Sequence, residues 1–171
     1  MEKTISSTLI HKGRSFSFRS DEVEVNGRRV TRDIVDHPGA VAIVPLLGDG
    51  RIVFVRQFRY AAGRELLEIP AGTLEPGERP DACAARELRE ETGYTAGIIK
   101  KLLSCYTAPG YSNEVIHIYV ATDLTEGKQA TEEDEEIRVQ TYGFDEALKM
   151  IEEGDIMDAK TVAGVLTFLT R

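Results

Sequence analysis

Two short apolar runs place the strongest constraint on the fold of this chain. The first covers residues 41–47, the second covers residues 52–55, and the turn Gly48-Asp49-Gly50 separates them. An apolar run of this length between turn residues is typical of a strand that is buried on both faces. We therefore predict two adjacent, well-buried strands.

The remaining segments predict a mixture of strands and helices. Apolar residues alternate on both sides of Asn26-Gly27 and indicate an N-terminal hairpin. From Pro80 to the expected stop at Gly93, small and apolar residues recur at helical spacing. Further strands are predicted at 65–70, 98–106, 114–121 and 137–142, an irregular loop at 71–78, and further helices at 145–153 and from near Asp158. Because these elements do not alternate regularly, we expect an α/β sandwich with a mixed sheet between helices.

The composition supports one domain and argues against several classes of protein. The 171 residues are 42% hydrophobic and 29% charged, which is typical of a globular chain. Asp and Glu number 29 against 21 Lys and Arg, and the net charge of -8 argues against a nucleic-acid partner. No apolar stretch reaches the roughly 18 residues that a membrane span needs, so we expect no membrane partner and a cytoplasmic location. Cys83 and Cys105 lack metal-ligand spacing and are predicted to be packed thiols.

The predicted helix between Pro80 and Gly93 concentrates acidic residues. Glu87, Glu90 and Glu91 stand at i, i+3 and i+4, so their carboxylates share one helix face. Ala84, Ala85 and Leu88 form the adjacent packing face. Oxygen ligands at this spacing suit Mg²⁺ or Mn²⁺. The alternative is a solvated acidic surface that is balanced by neighbouring arginines.

The residues around this helix follow a longer pattern. Gly72, Glu78, Arg86-Glu87-Leu88, Glu90-Glu91 and Gly93-Tyr94 stand at fixed offsets. This segment resembles the signature box of the Nudix hydrolases, which implies a Nudix-type α/β/α sandwich. The resemblance implies that the metal ligands are Glu87, Glu90, Glu91 and the Ala71 carbonyl, with Mg²⁺ as cofactor and Mn²⁺ as the alternative. It also implies catalytic roles for Arg86, which would orient the carboxylates, and for Glu90; Glu78 is a further candidate or the partner in a loop-to-helix ion pair.

The flanking segments are similar to the ADP-ribose pyrophosphatases within this family. The similarity lies in residues 32–41, 56–59, 67–72 and 106–110, and Pro109 occupies the position that marks the substrate class. It implies hydrolysis of the diphosphate bond of ADP-ribose to AMP and ribose 5-phosphate. The alternatives are another nucleoside diphosphate sugar such as GDP-mannose, a dinucleotide, or a nucleotide-sensing module without catalysis. The complete box argues against the sensing module.

The same resemblance implies a catalytic base, a substrate pocket and a dimer. The base would come from the acidic loop at residues 132–136, where the register leaves Glu133 and Glu135 as candidates. The implied partners are a small nucleoside diphosphate sugar and a second copy of the chain, since residues 1–38 would form a dimerising β element and residues 39–171 the Nudix domain. The candidate substrate-binding residues are His11, Arg32, Arg56, Arg59, Glu68 and Pro109.

Overall fold

The computed structural model describes residues 1–131 and 136–170. These residues form ten strands, three α-helices and one short 3-10 helix at Tyr60–Ala62. The strands are β1 Lys3–Lys12, β2 Ser17–Val25, β3 Arg28–Asp36, β4 Ala40–Pro45, β5 Ile52–Arg59, β6 Arg64–Glu68, β7 Ala71–Thr73, β8 Thr95–Tyr106, β9 Val115–Thr125 and β10 Arg138–Tyr142. The helices are α1 Pro80–Thr92, α2 Phe144–Glu153 and α3 Ala159–Leu169. Among the described residues, no helix has the length and apolar character needed to span a membrane.

A four-stranded mixed sheet forms the centre of the fold. Its strand order is β7-β4-β9-β8, and β4 runs parallel to β9 while the other pairs are antiparallel. Val41 and Ile43 of β4 pack in one cluster with the buried side of α1. Ala42 and Val44 point to the opposite face and pack in the cluster that contains Val165 of α3. The alternation of β4 therefore places helices on both faces, which confirms the predicted α/β/α sandwich.

The second apolar run lies in a different sheet from the first. Both runs are buried, as predicted, but β5 pairs with β10 and β6 in a three-stranded antiparallel sheet. In the described part of the chain, β4 and β5 share one isolated bridge, between Leu46 and Ile52. Both edges of β4 are hydrogen-bonded, one to β7 and the other to β9, so β5 cannot pair along β4.

The N-terminal strands form a separate antiparallel sheet in the order β1-β2-β3. Asn26 and Gly27 have φ values of 51° and 74°, so the predicted hairpin turn is present. Every residue of β1 is exposed. This sheet contacts the rest of the molecule through β3, where the Val35 amide donates to the Tyr111 carbonyl at 2.8 Å.

Helix α1 and the short strand before it position the acidic residues. The helix has the predicted bounds and ends where Gly93 adopts a φ of 79°. Its packing face differs from the prediction, because Cys83 is buried with Ala84 and Leu88 while Ala85 is exposed. The segment predicted as an irregular loop begins with β7, which pairs with residues 40–42 of β4. A three-residue strand has too little alternation to be recognised from its sequence, and its register comes from β4.

Candidate active site

A cavity of about 980 Å³ opens where β7, α1 and the end of β5 meet. The side chains of Glu87, Glu90 and Glu91 line it, together with the backbone at Ala71 and Gly72. Arg59 and Arg86 also line it and bring positive charge. The cavity therefore combines anionic oxygen donors with two guanidinium groups, an arrangement suited to a ligand that carries phosphate groups and binds cations.

Arg86 holds three acidic side chains of the site in place. Its Nη1 donates to Glu87 Oε1 at 2.7 Å and to Glu90 Oε2 at 3.0 Å. Its Nε and Nη2 bind the two oxygens of Glu78, each at 3.0 Å. Only a planar guanidinium offers enough donors for this arrangement. Arg86 thus joins the loop before α1 to two carboxylates on the helix.

The charges in this cluster shift the pKa values of its members. The hydrogen bonds from Arg86 lower the pKa of Glu78 to about 2, and the same contacts raise the pKa of Arg86 above its ordinary value. Burial raises the pKa of the neighbouring Cys83 thiol to about 12, with a further contribution from Glu78. Glu78 and Arg86 are therefore a fully ionised pair at neutral pH, and Cys83 is a protonated thiol in the core.

Glu91 and Glu87 fasten the helix to β7. Glu91 is only 4% exposed, and its Oε2 accepts a hydrogen bond from the Ala71 amide at 3.0 Å. Glu87 lies so close to Gly72 that a side-chain carbon at Gly72 would overlap its carboxyl group. Gly72 is therefore required for the close approach of backbone and carboxylate.

These donors fit a hard divalent cation in their chemistry. Three carboxylates and a backbone carbonyl are the oxygen ligands that Mg²⁺ and Mn²⁺ accept. Glu87 and Glu90 converge on one nitrogen of Arg86, which shows that this space is suited to positive charge. In the described ranges, no three Asp, Glu, His or Cys side chains form a preassembled cluster for a metal ion. Glu87, Glu90, Glu91 and the Ala71 carbonyl are the groups that would hold such a cation.

The comparisons with known proteins agree with this geometry. The model of the NUDIX domain matches residues 36–163, which cover most of the chain. The chain belongs to the Nudix family.

Relatives of this Nudix chain carry three different names. It is 42% identical to "ADP-ribose pyrophosphatase" of Bacillus subtilis (strain 168) and 44% identical to "Methanol dehydrogenase activator" of Bacillus methanolicus, over 96% of this chain and 90% of each relative. It is 37% identical to "GDP-mannose pyrophosphatase" of Escherichia coli O1:K1 / APEC, over 78% of this chain and 75% of that protein. The solved "Crystal structure of ADP compounds hydrolase" shares the fold, with a TM-score of 0.86 and 24% identity over 99% of this chain and 92% of that one.

Behind the cavity of this Nudix protein lies a buried ion network. Glu68 is 1% exposed, and its two oxygens accept hydrogen bonds from Arg59 Nε and Nη2, each at 2.8 Å. Lys160 also donates to Glu68 and forms an ion pair with Asp158 at 3.0 Å. Burial opposes the ionisation of Glu68, but the Arg59 hydrogen bonds and the Lys160 charge together hold its pKa below the ordinary value. Glu68 is thus a charged anchor for Arg59.

The other predicted substrate-binding residues lie elsewhere within one chain. Arg56 donates to Gln140 at 3.0 Å, and exposed Arg32 binds Glu2. His11 is exposed on β1, and Pro109 is exposed in the loop before β9. None of these four is among the described residues that line the cavity. Their part in substrate binding stays a prediction, and Glu133 and Glu135 lie outside the described residues.

Sequence reasoning missed two features of this site. Arg14 and Ser15, in the turn between β1 and β2, line the cavity. Gly13 indicates a turn, and the basic residues on either side of it are the signal that could have identified Arg14 and Ser15. The second feature is Lys160, whose contact with Glu68 crosses 92 positions of sequence, so no local signal exists for it.

Proposed function

We propose that this protein hydrolyses the diphosphate bond of ADP-ribose and releases AMP and ribose 5-phosphate. The observation that carries the proposal is the cavity that Glu87, Glu90 and Glu91 line together with Arg59. The identity of 42% over nearly the whole chain to an ADP-ribose pyrophosphatase supports the choice of substrate. Water supplies the oxygen of the new phosphate group, and no other co-reactant is needed.

In this proposal, Glu87, Glu90, Glu91 and the Ala71 carbonyl hold Mg²⁺, with Mn²⁺ as the alternative. When bound there, the ion would neutralise phosphate oxygens and lower the pKa of a water molecule. Arg86 keeps the carboxylates of Glu87 and Glu90 oriented, and Glu91 keeps α1 in register with Ala71. Arg59 donates to an oxygen of the diphosphate, for which a guanidinium is well suited.

The proposed general base is Glu133 or Glu135. A carboxylate near a bound metal ion would remain ionised and could accept the proton of the attacking water. Ala130 and Thr131, which precede this stretch, line the cavity. The Ala130 amide donates to the Glu90 carbonyl at 3.0 Å, so the segment just before the acidic stretch is hydrogen-bonded to α1.

The proposed active form is a homodimer that is built through the β element of residues 1–38. Strand β1 exposes Ile5, Leu9 and Ile10, an apolar surface that favours contact with a second copy. His11 and Arg32 would then reach the cavity of the partner subunit, while Arg56 and Pro109 complete the pocket of their own chain. Sedimentation of the wild-type protein and of a Leu9→Asp variant tests this assembly, since a monomeric wild type contradicts it.

A product assay across nucleoside diphosphate sugars tests the proposed reaction. With Mg²⁺ present, we expect the kcat/KM for ADP-ribose to exceed those for ADP-glucose and GDP-mannose, with AMP and ribose 5-phosphate as products. Equal or faster cleavage of another sugar nucleotide would overturn the choice of ADP-ribose. Chelation of the metal should abolish turnover, and addition of Mg²⁺ or Mn²⁺ should restore it.

GDP-mannose is the second candidate substrate, because a GDP-mannose pyrophosphatase is 37% identical over a smaller share of the chain. It would be favoured if GMP and mannose 1-phosphate were the faster products. A nucleotide-sensing role without catalysis is disfavoured by the complete carboxylate set around Arg86. Tight binding of ADP-ribose with no hydrolysis in the presence of Mg²⁺ would instead favour the sensing role over catalysis.

A further inference from the structure

Three elements meet in the ion network behind the cavity. Glu68 ends β6, Arg59 ends β5, and Lys160 lies in the first turn of α3. Glu68 accepts from Arg59 through both oxygens and from Lys160 through Oε2. A carboxylate that is 1% exposed needs such compensation, because an uncompensated buried charge is costly.

Arg59 is the member of this network that reaches the cavity. Its side chain is 40% exposed and lines the cavity wall near Glu91. Glu68 occupies Nε and Nη2, and no described residue accepts a hydrogen bond from Nη1. The two-point contact with Glu68 fixes the plane of the guanidinium. Nη1 of this cavity-lining residue is therefore a preoriented donor that Glu68 does not use.

Lys160 determines how much positive charge Arg59 presents to that space. Glu68 alone would neutralise the charge of Arg59, and Asp158 adds a second negative charge beside Lys160. Lys160 contacts both carboxylates and offsets them. Without the Lys160 ammonium, both carboxylates would draw the guanidinium inward, away from a phosphate oxygen.

The backbone around Lys160 is held by other residues. Asp158 caps α3 by accepting from the Thr161 amide at 2.9 Å and from its hydroxyl at 2.6 Å. The Thr161 hydroxyl oxygen accepts from the Ile69 amide at 2.9 Å, so the start of α3 is tied to the segment that leads to Ala71. None of these bonds uses the Lys160 side chain. Replacing that side chain therefore leaves these contacts at the start of α3 in place.

From this geometry we infer that Lys160 is a positioning residue for the substrate diphosphate. It holds Glu68 and Asp158 so that the Arg59 guanidinium stays aimed at the cavity. The inference deepens the proposed function and rests on it, since it assigns the recognition of the diphosphate to a network of Lys160, Glu68 and Arg59. Lys160 itself does not touch the substrate.

A double-mutant cycle on KM tests this inference. Lys160→Met should raise the KM for ADP-ribose about tenfold and change kcat by less than about threefold, because it weakens binding rather than chemistry. In an Arg59→Met background the same substitution should cause no further rise, since Lys160 acts through Arg59. Lys160→Arg should restore most of the affinity. The matched control Lys149→Met, at an exposed position of α2, should leave KM unchanged.

Two results would overturn the inference. One is an equal rise in KM in both backgrounds, which would show that Lys160 acts independently of Arg59. The other is an unchanged KM with a lowered melting temperature, which would make Lys160 purely structural. If the double variant does not fold, Arg59→Lys replaces Arg59→Met, and an undiminished tenfold effect of Lys160→Met there counts against the inference.

The failure of the proposed function has a different signature. A folded wild type that cleaves no sugar nucleotide of the panel defeats that function and leaves the network testable. In that case the affinity of the same variants for ADP, which also carries a diphosphate, is measured by calorimetry. Weaker ADP binding by Lys160→Met in the wild-type background alone supports the inference, and unchanged affinity overturns it.

Discussion

The carboxyl group of Glu87 lies directly against the backbone of Gly72, in space that any larger residue at position 72 would fill with its own side chain. Glu87 lies on α1 and Gly72 on β7, so this contact sets how closely the helix approaches the strand. It also directs Glu87 toward Arg86, whose Nη1 binds it at 2.7 Å. A glycine without a side chain thus determines the position of a candidate metal ligand.

Gly72→Ala should lower kcat by about a hundredfold, because the methyl group displaces the Glu87 carboxylate from its position. Steady-state kinetics at saturating Mg²⁺ measure the loss. Gly48→Ala is the matched control, since a side-chain carbon there meets no atom within 4 Å. Full activity of Gly72→Ala would show that Glu87 tolerates displacement and would remove it from the proposed ligand set.

Arg86→Lys should lower kcat/KM by about 10- to 100-fold, because an ammonium group cannot bind both oxygens of Glu78 together with Glu87 and Glu90. The comparison is made at equal Mg²⁺ concentration. Arg79→Lys, at an exposed position just before the same helix, controls for loss of an arginine. Equal effects of the two substitutions would contradict the orienting role of Arg86.

Glu91→Gln should lose at least about a hundredfold in turnover while the protein stays folded. The amide oxygen of glutamine still accepts the hydrogen bond from Ala71, so the helix remains attached to β7. Circular dichroism checks the fold, and titration with Mn²⁺ checks metal affinity. A folded variant with unchanged metal affinity would rule out Glu91 as a ligand.

Glu78 should make stability depend on pH in the acidic range. Its pKa is about 2 in the folded protein against an ordinary value of 4.5, so it binds its proton less readily when folded. The stabilisation is therefore complete above pH 4.5 and is lost as the pH falls toward 2. In urea unfolding, the free-energy difference between wild type and Glu78→Gln should shrink over this range. An exposed control, Glu152→Gln, shows the background, and a difference that stays constant to pH 2 would refute the linkage.

Separate Glu133→Gln and Glu135→Gln variants should identify the general base. The variant that lacks the base should lose about 10²- to 10⁴-fold in kcat, while the other retains most of its activity. The pH dependence of kcat distinguishes a base from a metal ligand, because removal of the base also removes the acidic limb of the profile. Full turnover in both variants would show that the general base does not come from this loop.

The sequence by itself determined the elements whose signals are local. Helix α1 begins at Pro80 and ends before Gly93 as predicted, because a proline in the first turn and a left-handed glycine at the end act within a few residues. The spacing of Glu87, Glu90 and Glu91 follows from helical periodicity in the same way. The Asn26-Gly27 hairpin and the Nudix family were also accessible from short stretches of sequence.

Only the tertiary structure decided what depends on contacts between distant segments. The two apolar runs predicted two buried strands, but the bonding of β4 to β7 and β9 left β5 for another sheet. Glu87 meets Gly72, and Glu68 meets Lys160, only after α1 and α3 have packed on the central strands. Local patterns carry no information about which buried charges will meet, because that is decided by the packing that excludes water around them.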